Sequence, residues 1–537
     1  MSRPRQAQEI PIDIPLRGMS TRYPQTKMPS QFSPWIQNLD LEVGCLETPL
    51  GVDRRFNAII NYIIAMADHP TDPDSIVHFD NSGSDIKARS YNPFDDTGGS
   101  IITGGESNQS SRAITKLGFN NRVFIFQGNA KTAVFDGSTL GEWSVSGPSD
   151  YIVGGFAFRE RMYVFEDKSK SIWYGSVGGV AGTFTEFPLD SITESNGLIM
   201  CGFAFTLSSG LDSQALWAVV LTTGEVIIYS GTYPAAPDWV LVGKTKIAAP
   251  VGYQSFVEVN GDVLVITKAG IISIRNLILG GLGSQKVASL TDEIEKYWTF
   301  VIQKTIETSA QTEFDPMTSD LALIHGAYHQ IKNKLVIFLP YAYIPGTGAG
   351  GDYVSAGADI SMALIYDFAN QGWTVRLFTN IPNTSGRYIV CSFYHANSDL
   401  LFLGCDDEND ESGLVLWGSD GYQDVNITTA DITGRIITAP MVGGGVKDIK
   451  STRLIHSGSK ETKSTVAVTM RGNLGAKVSQ PTSHAITQDG ITDEIYNAGV
   501  EARVIQADIS VTMDENADRA YQIFDIAPIV EPGGLLG

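Results

Sequence analysis

Between residues 57 and 430 the chain carries apolar runs of four to seven residues that come in pairs, with polar or glycine-containing turns between the two members. β-Branched and aromatic residues dominate the runs, and Gly, Asp and Asn bound them, which is typical of short strands. Six pairs are clear and one, at the start, is weaker. The first members of the pairs are NAIINYIIAMA (57–67), RVFIFQG (122–128), RMYVFED (161–167), ALWAVVL (215–221), DVLVITK (262–268), KLVIFLP (334–340) and DLLFLGC (399–405).

Each pair reads as strand, tight turn and strand, often with an aromatic residue 6–14 positions later. Thr223-Gly224 and Ala269-Gly270 stand where a hairpin needs positive φ. The units begin 39 to 72 residues apart, and irregular repetition of a four-strand unit is typical of a β-propeller. The pattern therefore predicts an all-β chain with an irregular propeller of six or seven blades. Two stacked β-sandwich domains are the alternative.

The composition and the hydrophobic pattern change along the chain and predict three parts. Residues 1–56 are irregular and rich in proline, residues 57–430 form the propeller, and residues 431–537 show plainer Val/Ile/Thr alternation with few aromatics. The last part is expected to be β-rich as well. One helix is predicted over 289–303, because Ser289 can cap it and its apolar residues recur three and four positions apart.

Composition excludes several classes of protein. A chain of 537 residues with 10% aromatics can bury a sizeable core. Its net charge of −21 argues against tight general binding to duplex DNA, which needs Lys and Arg. The four cysteines lie far apart, so neither a disulfide scaffold nor a zinc knuckle is indicated. The longest nearly apolar stretch has 12 residues, short of the ~20 that a membrane helix needs, and no secretory signal is visible at the N-terminus.

Several motifs resemble cofactor or metal sites but lack a required part. GTGAGG (346–351) matches a dinucleotide loop, yet a strand-like sequence follows it where a helix is needed. Gly243-Lys244-Thr245 lacks the glycine that a phosphate loop carries five residues before the lysine. The acidic run 406–413 has Glu411 where a calcium loop has glycine, and is read as a solvated hairpin tip. His325 and His329 are four residues apart but precede a strand, where they merely share a face.

Two Asp-turn-Trp segments and one basic stretch complete the candidates. FDGSTLGEW (135–143) and YDFANQGW (366–373) are read as blade hairpins whose aromatic residues pack between blades. The stretch 447–463 holds five Lys and Arg against two acids, and suits a solvated strand face better than an acidic partner or nucleic acid. We therefore assign no catalytic, cofactor-binding or metal-binding residue, and we expect no enzymatic activity and no cofactor.

Three segments, in this order along the chain, resemble the tail nozzle proteins of short-tailed bacteriophages, also called tail tubular protein B. The opening segment contributes Leu16-Arg17-Gly18, a proline-rich stretch, and then Asn38, Gly44, Leu46 and Gly51; Thr48 and Pro49 depart from the family, where an Arg is common. The second segment is the predicted helix with IHGAYHQIKNKLVIFLP and LIYDFANQGWTV. The third comprises ITGRIITAPMVGGGVKDIKSTRLI and STVAVTMRG.

The resemblance implies a structural virion protein. Nozzle proteins combine a propeller with a platform domain built from N- and C-terminal segments, so 1–56 becomes an adaptor-contacting platform segment and 431–537 its C-terminal counterpart. Six copies form a ring below portal and adaptor, near tail fibres or tailspikes. Duplex DNA passes through the lumen without specific binding, and the ring contributes to genome retention and ejection. The resemblance also implies that the protein is located in the phage tail and is assembled in the host cytoplasm.

Two rival functions stay open. A propeller that binds or cleaves host glycans could use acids and aromatics at the mouth of its central channel, although paired carboxylates cannot be assigned from sequence. A cytosolic scaffold propeller is expected to show a Trp-Asp or kelch-like signature in each blade, and none is present.

Overall fold

The architecture comes from a computed structural model. It describes residues 8–9, 12–42, 44–49, 52–54, 62–82, 85–102, 106–107, 115–209, 212–281, 288–308, 315–317, 319–345, 353–355, 360–379, 389–405, 414–417, 423–425, 429–431, 433–458, 464–473, 477–485, 490–496, 500–513 and 521–532.

Seven antiparallel sheets follow one another along the chain and form the blades of a propeller. Blades 1 to 3 comprise Tyr62–His69, Asp72–Ser82, Asp85–Asn92, Thr97–Ile101 and Glu106–Ser107; Thr115–Gly118, Val123–Phe126, Ala133–Phe135 and Leu140–Glu142; and Ile152–Phe158, Arg161–Glu166, Ser171–Tyr174 and Thr185–Pro188. Blades 4 and 5 comprise Ile199–Ser209, Asp212–Leu221, Glu225–Ser230 and Val240–Lys246; and Phe256–Val259, Asp262–Thr267 and Gly270–Ser273. Blades 6 and 7 comprise His325–His329, Lys334–Leu339, Ile360–Asp367 and Gly372–Thr379; and Ile389–His395, Leu400–Cys405 and Leu414–Trp417.

The ring closes through the N-terminal part of the chain. The first strand of each blade packs beside that of the next, and the first strand of blade 7 packs on that of blade 1. Val52–Arg54 pairs antiparallel with Leu414–Trp417 and so completes blade 7 from the opposite end of the sequence. Two short strands, Gln423–Val425 and Thr429–Asp431, extend the same sheet. Two strand pairs lie outside the blades, Val145–Ser146 with Gly182–Thr183 and Tyr343–Pro345 with Tyr353–Ser355.

N- and C-terminal strands build a platform that continues the sheet of blade 6. Trp35–Gln37 lies between the last strand of blade 6, to which it is parallel, and Thr433–Ile437, to which it is antiparallel. Beyond these, the sheet runs through Val500–Thr512, Met441–Gly458, Gln522–Pro532, Cys45–Glu47 and Asp40–Glu42. Gln8–Glu9, Thr465–Gly472, Lys477–Val478, Thr482–Ala485 and Gly490–Tyr496 pair along its flanks.

The long helix, Glu295–Thr308, packs where platform and propeller meet, whereas the short helix Ile274–Leu279 packs against blades 4 and 5. The other helical elements are the 3-10 turns Gln25–Lys27, Leu290–Ile294 and Asp320–Leu323. The long helix buries Tyr297, Trp298 and Val301 in a core that also contains apolar residues of blades 5 and 6 and of the platform. Platform and propeller therefore share one hydrophobic core. In the described part of the chain no helix has the length and apolar character needed to cross a membrane.

The prediction of an all-β propeller with a platform of N- and C-terminal strands is confirmed. The weak pair at 57–80 is a genuine blade, so the number of blades is seven. The helix predicted over 289–303 is present as a 3-10 turn followed by Glu295–Thr308.

Candidate functional site: the axial cavity

A cavity of about 550 Å³ lies on the propeller axis. All seven blades contribute to its wall through their first strands or the residues just before them. Its lining includes Ile64, Thr115, Lys116, Phe156, Phe203, Gln254, Phe256, Glu258, His325, Gly326, Cys391 and Ser392. The volume and the mixture of aromatic walls with a few polar groups are those of a small-molecule site.

Local backbone features of the first strands leave room for this cavity. In blades 1, 3, 4 and 7 the pairing of the first and second strands shifts register near the cavity, after Ile63, Ile152, Ile199 and Ile389. Such bulges bend a strand and re-aim its side chains. At Gly202 an added Cβ would lie 2.7 Å from Cε1 of Phe156, so the ring of one blade passes over the bare backbone of the next.

His325 presents an unused acceptor to the cavity. Its side chain is buried, and Nδ1 lies 2.8 Å from the carbonyl oxygen of Leu323. A carbonyl only accepts, so Nδ1 carries the proton and Nε2 has a lone pair. Among the described residues Nε2 has no hydrogen-bond partner. Burial lowers the pKa of His325 to about 4, so the ring is neutral at pH 7.

Lys116 supplies the positive charge of the cavity. Its ammonium donates a hydrogen bond to the carbonyl of Met66 and lies 4.4 Å from the ring centroid of Phe393. Burial lowers the pKa of Lys116 to about 8. An ammonium has three N–H groups, and in the described structure one of them has a protein acceptor. The others can serve a bound anion.

Glu258 supplies a negative charge nearer the mouth. It is two residues from the Asn260 turn that ends the first strand of blade 5, and it also lines an adjoining space of about 220 Å³. Its side chain is exposed there, yet partial burial of the carboxyl group raises its pKa. With the residues that the structure describes, the Glu258 carboxylate makes no hydrogen bond or ion pair. Lys116 and Glu258 are therefore opposite charges that the protein does not pair with each other.

Because two histidines are buried in the neutral form, we predict that the free energy of unfolding decreases as the pH is lowered. Burial lowers the pKa of His78 to about 3 and that of His325 to about 4, against about 6.5 when unfolded. Above pH 6.5 both states are unprotonated, and below it the unfolded chain takes up protons that the folded chain excludes. Each histidine should therefore cost about 2 kcal/mol between pH 7.5 and 5, because the loss approaches ~1.4 kcal/mol per pH unit below pH 6.5.

Urea unfolding at pH 7.5, 6.5 and 5.0 measures this loss. Comparison with His325→Asn isolates one histidine, because the amide can still donate to the Leu323 carbonyl. The variant should lose about 2 kcal/mol less than the wild type over the same interval. Equal slopes for the two proteins would show that His325 is not held neutral.

The two Asp-turn-Trp segments lie in blade hairpins as predicted. Asp136 accepts hydrogen bonds from the amides of Ser138 and Thr139, and these bonds lower its pKa to about 2. Trp143 packs edge-on against Phe124 of its own blade and Phe184 beside blade 3. Asp367 caps the second turn in the same way, and Trp373 is buried in the shared core.

The remaining candidates are dispersed or undescribed. His325 lines the cavity, whereas His329 lies 3.5 Å from Asp399 and packs on Tyr394. No group of three or more potential metal-binding side chains occurs in the described ranges. Gly243-Lys244-Thr245 lies on the outer strand of blade 4, where Lys244 pairs with Glu194. The segments 346–351 and 406–413 lie outside the described residues.

Residues 447–458 of the basic stretch lie on the platform strand Met441–Gly458, in agreement with the predicted strand. Arg453 forms an exposed ion pair with Asp493. Lys460 and Lys463 lie outside the described residues.

The cavity residues were missed because the first strands are weak in the hydrophobic pattern. Second and third strands are apolar runs, whereas the first strands contain glycine, alanine and polar residues at the cavity. A local signal was present nonetheless. IVGGFAF (152–158) and IMCGFAF (199–205) are nearly the same sequence, and both begin a blade.

Comparison with known proteins adds the following findings. No protein-family model and no curated protein sequence matches this chain. Among solved structures, it is similar to Raptor from Chaetomium thermophilum (TM-score 0.39, 11% identity), covering 71% of this chain and 29% of Raptor. It is also similar to YCF48 from Cyanidioschyzon merolae (TM-score 0.36, 9% identity; 68% and 98% covered) and to YCF48 bound to D1 peptide (TM-score 0.35, 10% identity; 71% and 97% covered). The class of the protein, a seven-bladed β-propeller with a platform sheet, therefore rests on its own topology.

Proposed function

We propose that the protein is a tail nozzle of a short-tailed bacteriophage, a structural virion protein without enzymatic activity. In this role it is assembled in the host cytoplasm as a ring of six copies below the portal and adaptor, beside tail fibres or tailspikes. The ring conducts DNA during ejection and contributes to genome retention before it.

One observation carries the proposal: the three segments that resemble nozzle proteins meet at a single junction. Gly18 of the opening turn has φ 74° and packs so closely on blade 6 that a Cβ there would lie 2.5 Å from the amide nitrogen of Trp373. Asn38 bridges the other two segments. Its backbone amide donates to the carbonyl of Val375 at 2.7 Å, and its side chain donates to the carbonyl of Thr433 at 3.0 Å. The side-chain oxygen of Asn38 also accepts from the amide of Leu377, two residues further along blade 6.

The contacts at this junction explain why the residues that resemble the nozzle family, Gly18 and Asn38 among them, occur in one chain. The turn at Gly18 needs a residue without a side chain, and Asn38 has both a donor and an acceptor in one short amide. They fix the platform to the propeller, which is the architecture that the resemblance implies.

Under this proposal DNA runs between copies, because the propeller axis cannot admit it. One turn of duplex is about 34 Å long. Spread over that length, the 550 Å³ of the axial cavity gives a cross-section of about 16 Å². A round channel of that area is about 4.5 Å across, which is less than the ~4.8 Å spacing of neighbouring β-strands. A DNA-conducting role therefore requires a ring of several molecules.

The distribution of charge suits a surface along which DNA slides. Residues 57–430 hold 21 Lys and Arg against 40 Asp and Glu, a net charge of −19, whereas the other two parts together carry −2. Six copies would carry −126 in all. If the acidic propellers line the lumen, they repel phosphate and DNA passes without sticking.

Assembly measurements test the proposal. We expect light scattering and negative-stain images to show a ring of about 350 kDa, six times 58.0 kDa, either alone or on purified portal–adaptor complexes. We also expect no retention of duplex DNA at physiological salt. A monomer in both preparations would contradict the nozzle, and so would a lumen lined mainly by Lys and Arg. A monomer that retains or cleaves polysaccharide would favour the glycan-directed propeller instead.

A further inference from the structure

The axial cavity contains polar groups without hydrogen-bond partners in the described part of the chain, which a DNA-conducting role does not require. Its polar groups are few, and two of them have no partner among the described residues. His325 Nε2 is a buried acceptor without a partner among the described residues, and so is the buried Oγ of Ser392, which can donate or accept. Buried polar atoms in proteins are nearly always hydrogen-bonded. These atoms therefore indicate that something polar, a ligand or ordered water, occupies the cavity.

The two charges restrict what the ligand can be. Lys116 lies in the cavity wall beside blade 7, where Phe393 and Cys391 surround it. Glu258 lies near the mouth, on the wall formed by blade 5. A ligand with one charge would pair with one of these groups and leave the other without a partner. A ligand with a carboxylate at one end and an ammonium at the other satisfies both.

The apolar wall restricts the middle of the ligand. Between the charged groups the wall is formed by Phe156 and Phe256, with Gly155, Ala157 and Ala204. Methylene groups lose water favourably against such an apolar wall. The neutral imidazole of His325 accepts a hydrogen bond from a donor near the carboxylate end, such as an α-ammonium.

We propose that the axial cavity binds an elongated dipolar amino acid, with its carboxylate on Lys116, its distal ammonium at Glu258 and its methylene chain against the phenylalanine rings. This site is independent of ring assembly, so it stands or falls separately from the nozzle function. The chemistry defines L-lysine and 6-aminohexanoate as probes, since both carry a carboxylate and a terminal ammonium joined by methylene groups.

Calorimetric titration with a matched series of probes tests the two ends separately. 6-Aminohexanoate should bind at least about tenfold more tightly than hexanoate, which lacks the ammonium, and than hexylamine, which lacks the carboxylate. L-Lysine should bind more tightly than 6-aminohexanoate, because its α-ammonium can donate to His325. Equal affinity for all four probes, or no saturable binding at about ten millimolar, would overturn the proposal.

Two variants assign the ends to residues. Lys116→Met keeps the length of the side chain and should remove the advantage of 6-aminohexanoate over hexylamine while leaving its advantage over hexanoate. Glu258→Gln should do the reverse. Lys168→Met, an exposed lysine outside the cavity, is the control and should behave as wild type. Each variant's thermal unfolding is recorded, so that a general loss of affinity in a destabilised protein is distinguished from a loss of selectivity. If both cavity variants keep wild-type selectivity, the assignment is wrong.

Discussion

Trp35→Ala should destabilise the protein by about 3–5 kcal/mol, a large part of the ~5–15 kcal/mol that stabilises a typical fold. Trp35 is fully buried on the strand that joins blade 6 to the platform. Its ring packs edge-on against Tyr297, with centroids 5.5 Å apart. Truncation would leave a cavity between the strand, the helix and the propeller, and would remove the indole N–H from which Gln37 accepts a hydrogen bond.

The shift in the urea or thermal midpoint measures this effect. Phe94→Ala is the control, since Phe94 is 59% exposed and should change stability by no more than about 0.5 kcal/mol. Because the core is continuous across the junction, platform and propeller should unfold together in the wild type. A Trp35→Ala variant as stable as Phe94→Ala would show that the two parts do not depend on this contact.

The second large effect concerns a three-residue ion cluster inside the platform. Asp508 accepts two hydrogen bonds from Arg435, both at 2.9 Å, and its Oδ2 also lies 2.6 Å from Nη2 of Arg471. All three side chains are less than 20% exposed. Burial lowers the pKa of Arg435, but its hydrogen bonds to Asp508 and the charge of that carboxylate outweigh this effect and raise it.

Asp508→Ala should therefore cost about 3–5 kcal/mol, because it leaves two buried guanidinium groups without their anion. Asp493→Ala is a matched control on the same platform. It breaks the exposed pair with Arg453, and such pairs contribute ~0–1 kcal/mol. Urea midpoints for both variants at low and high salt give the comparison. Equal and small losses would mean that water already reaches the Asp508 cluster.

The propeller could be predicted from sequence because second and third strands are almost wholly buried. Leu335 to Leu339 in blade 6 and Val123 to Phe126 in blade 2 are apolar at every position, and the period of such runs is visible locally. The order of strands in the platform could not be predicted in this way. Ser33, for example, bonds to the carbonyl of Ile437, 404 positions away, and no local pattern encodes such a partner.

The cavity was beyond sequence reasoning for a related reason. Lys116, Glu258 and His325 come from three blades, and each is separated from the next by tens of residues that belong to other strands. Their chemistry depends on how far the fold removes water and hydrogen-bond partners from each side chain. In the sequence, His325 stands out only by its spacing from His329, whereas its position in the cavity depends on a hydrogen bond to the Leu323 carbonyl that fixes its tautomer.

Because Val52–Arg54 closes blade 7, the propeller cannot close until a distant part of the chain has been synthesised. The partner strand ends at Trp417, 363 residues after Arg54. At ~5–20 residues per second, roughly 20–70 s pass between the synthesis of the two strands. During that time the edges of the open ring stay unpaired, and unpaired strand edges promote aggregation. Propeller and platform are thus completed late and together, so a chain that is terminated before residue 414 can close neither of them.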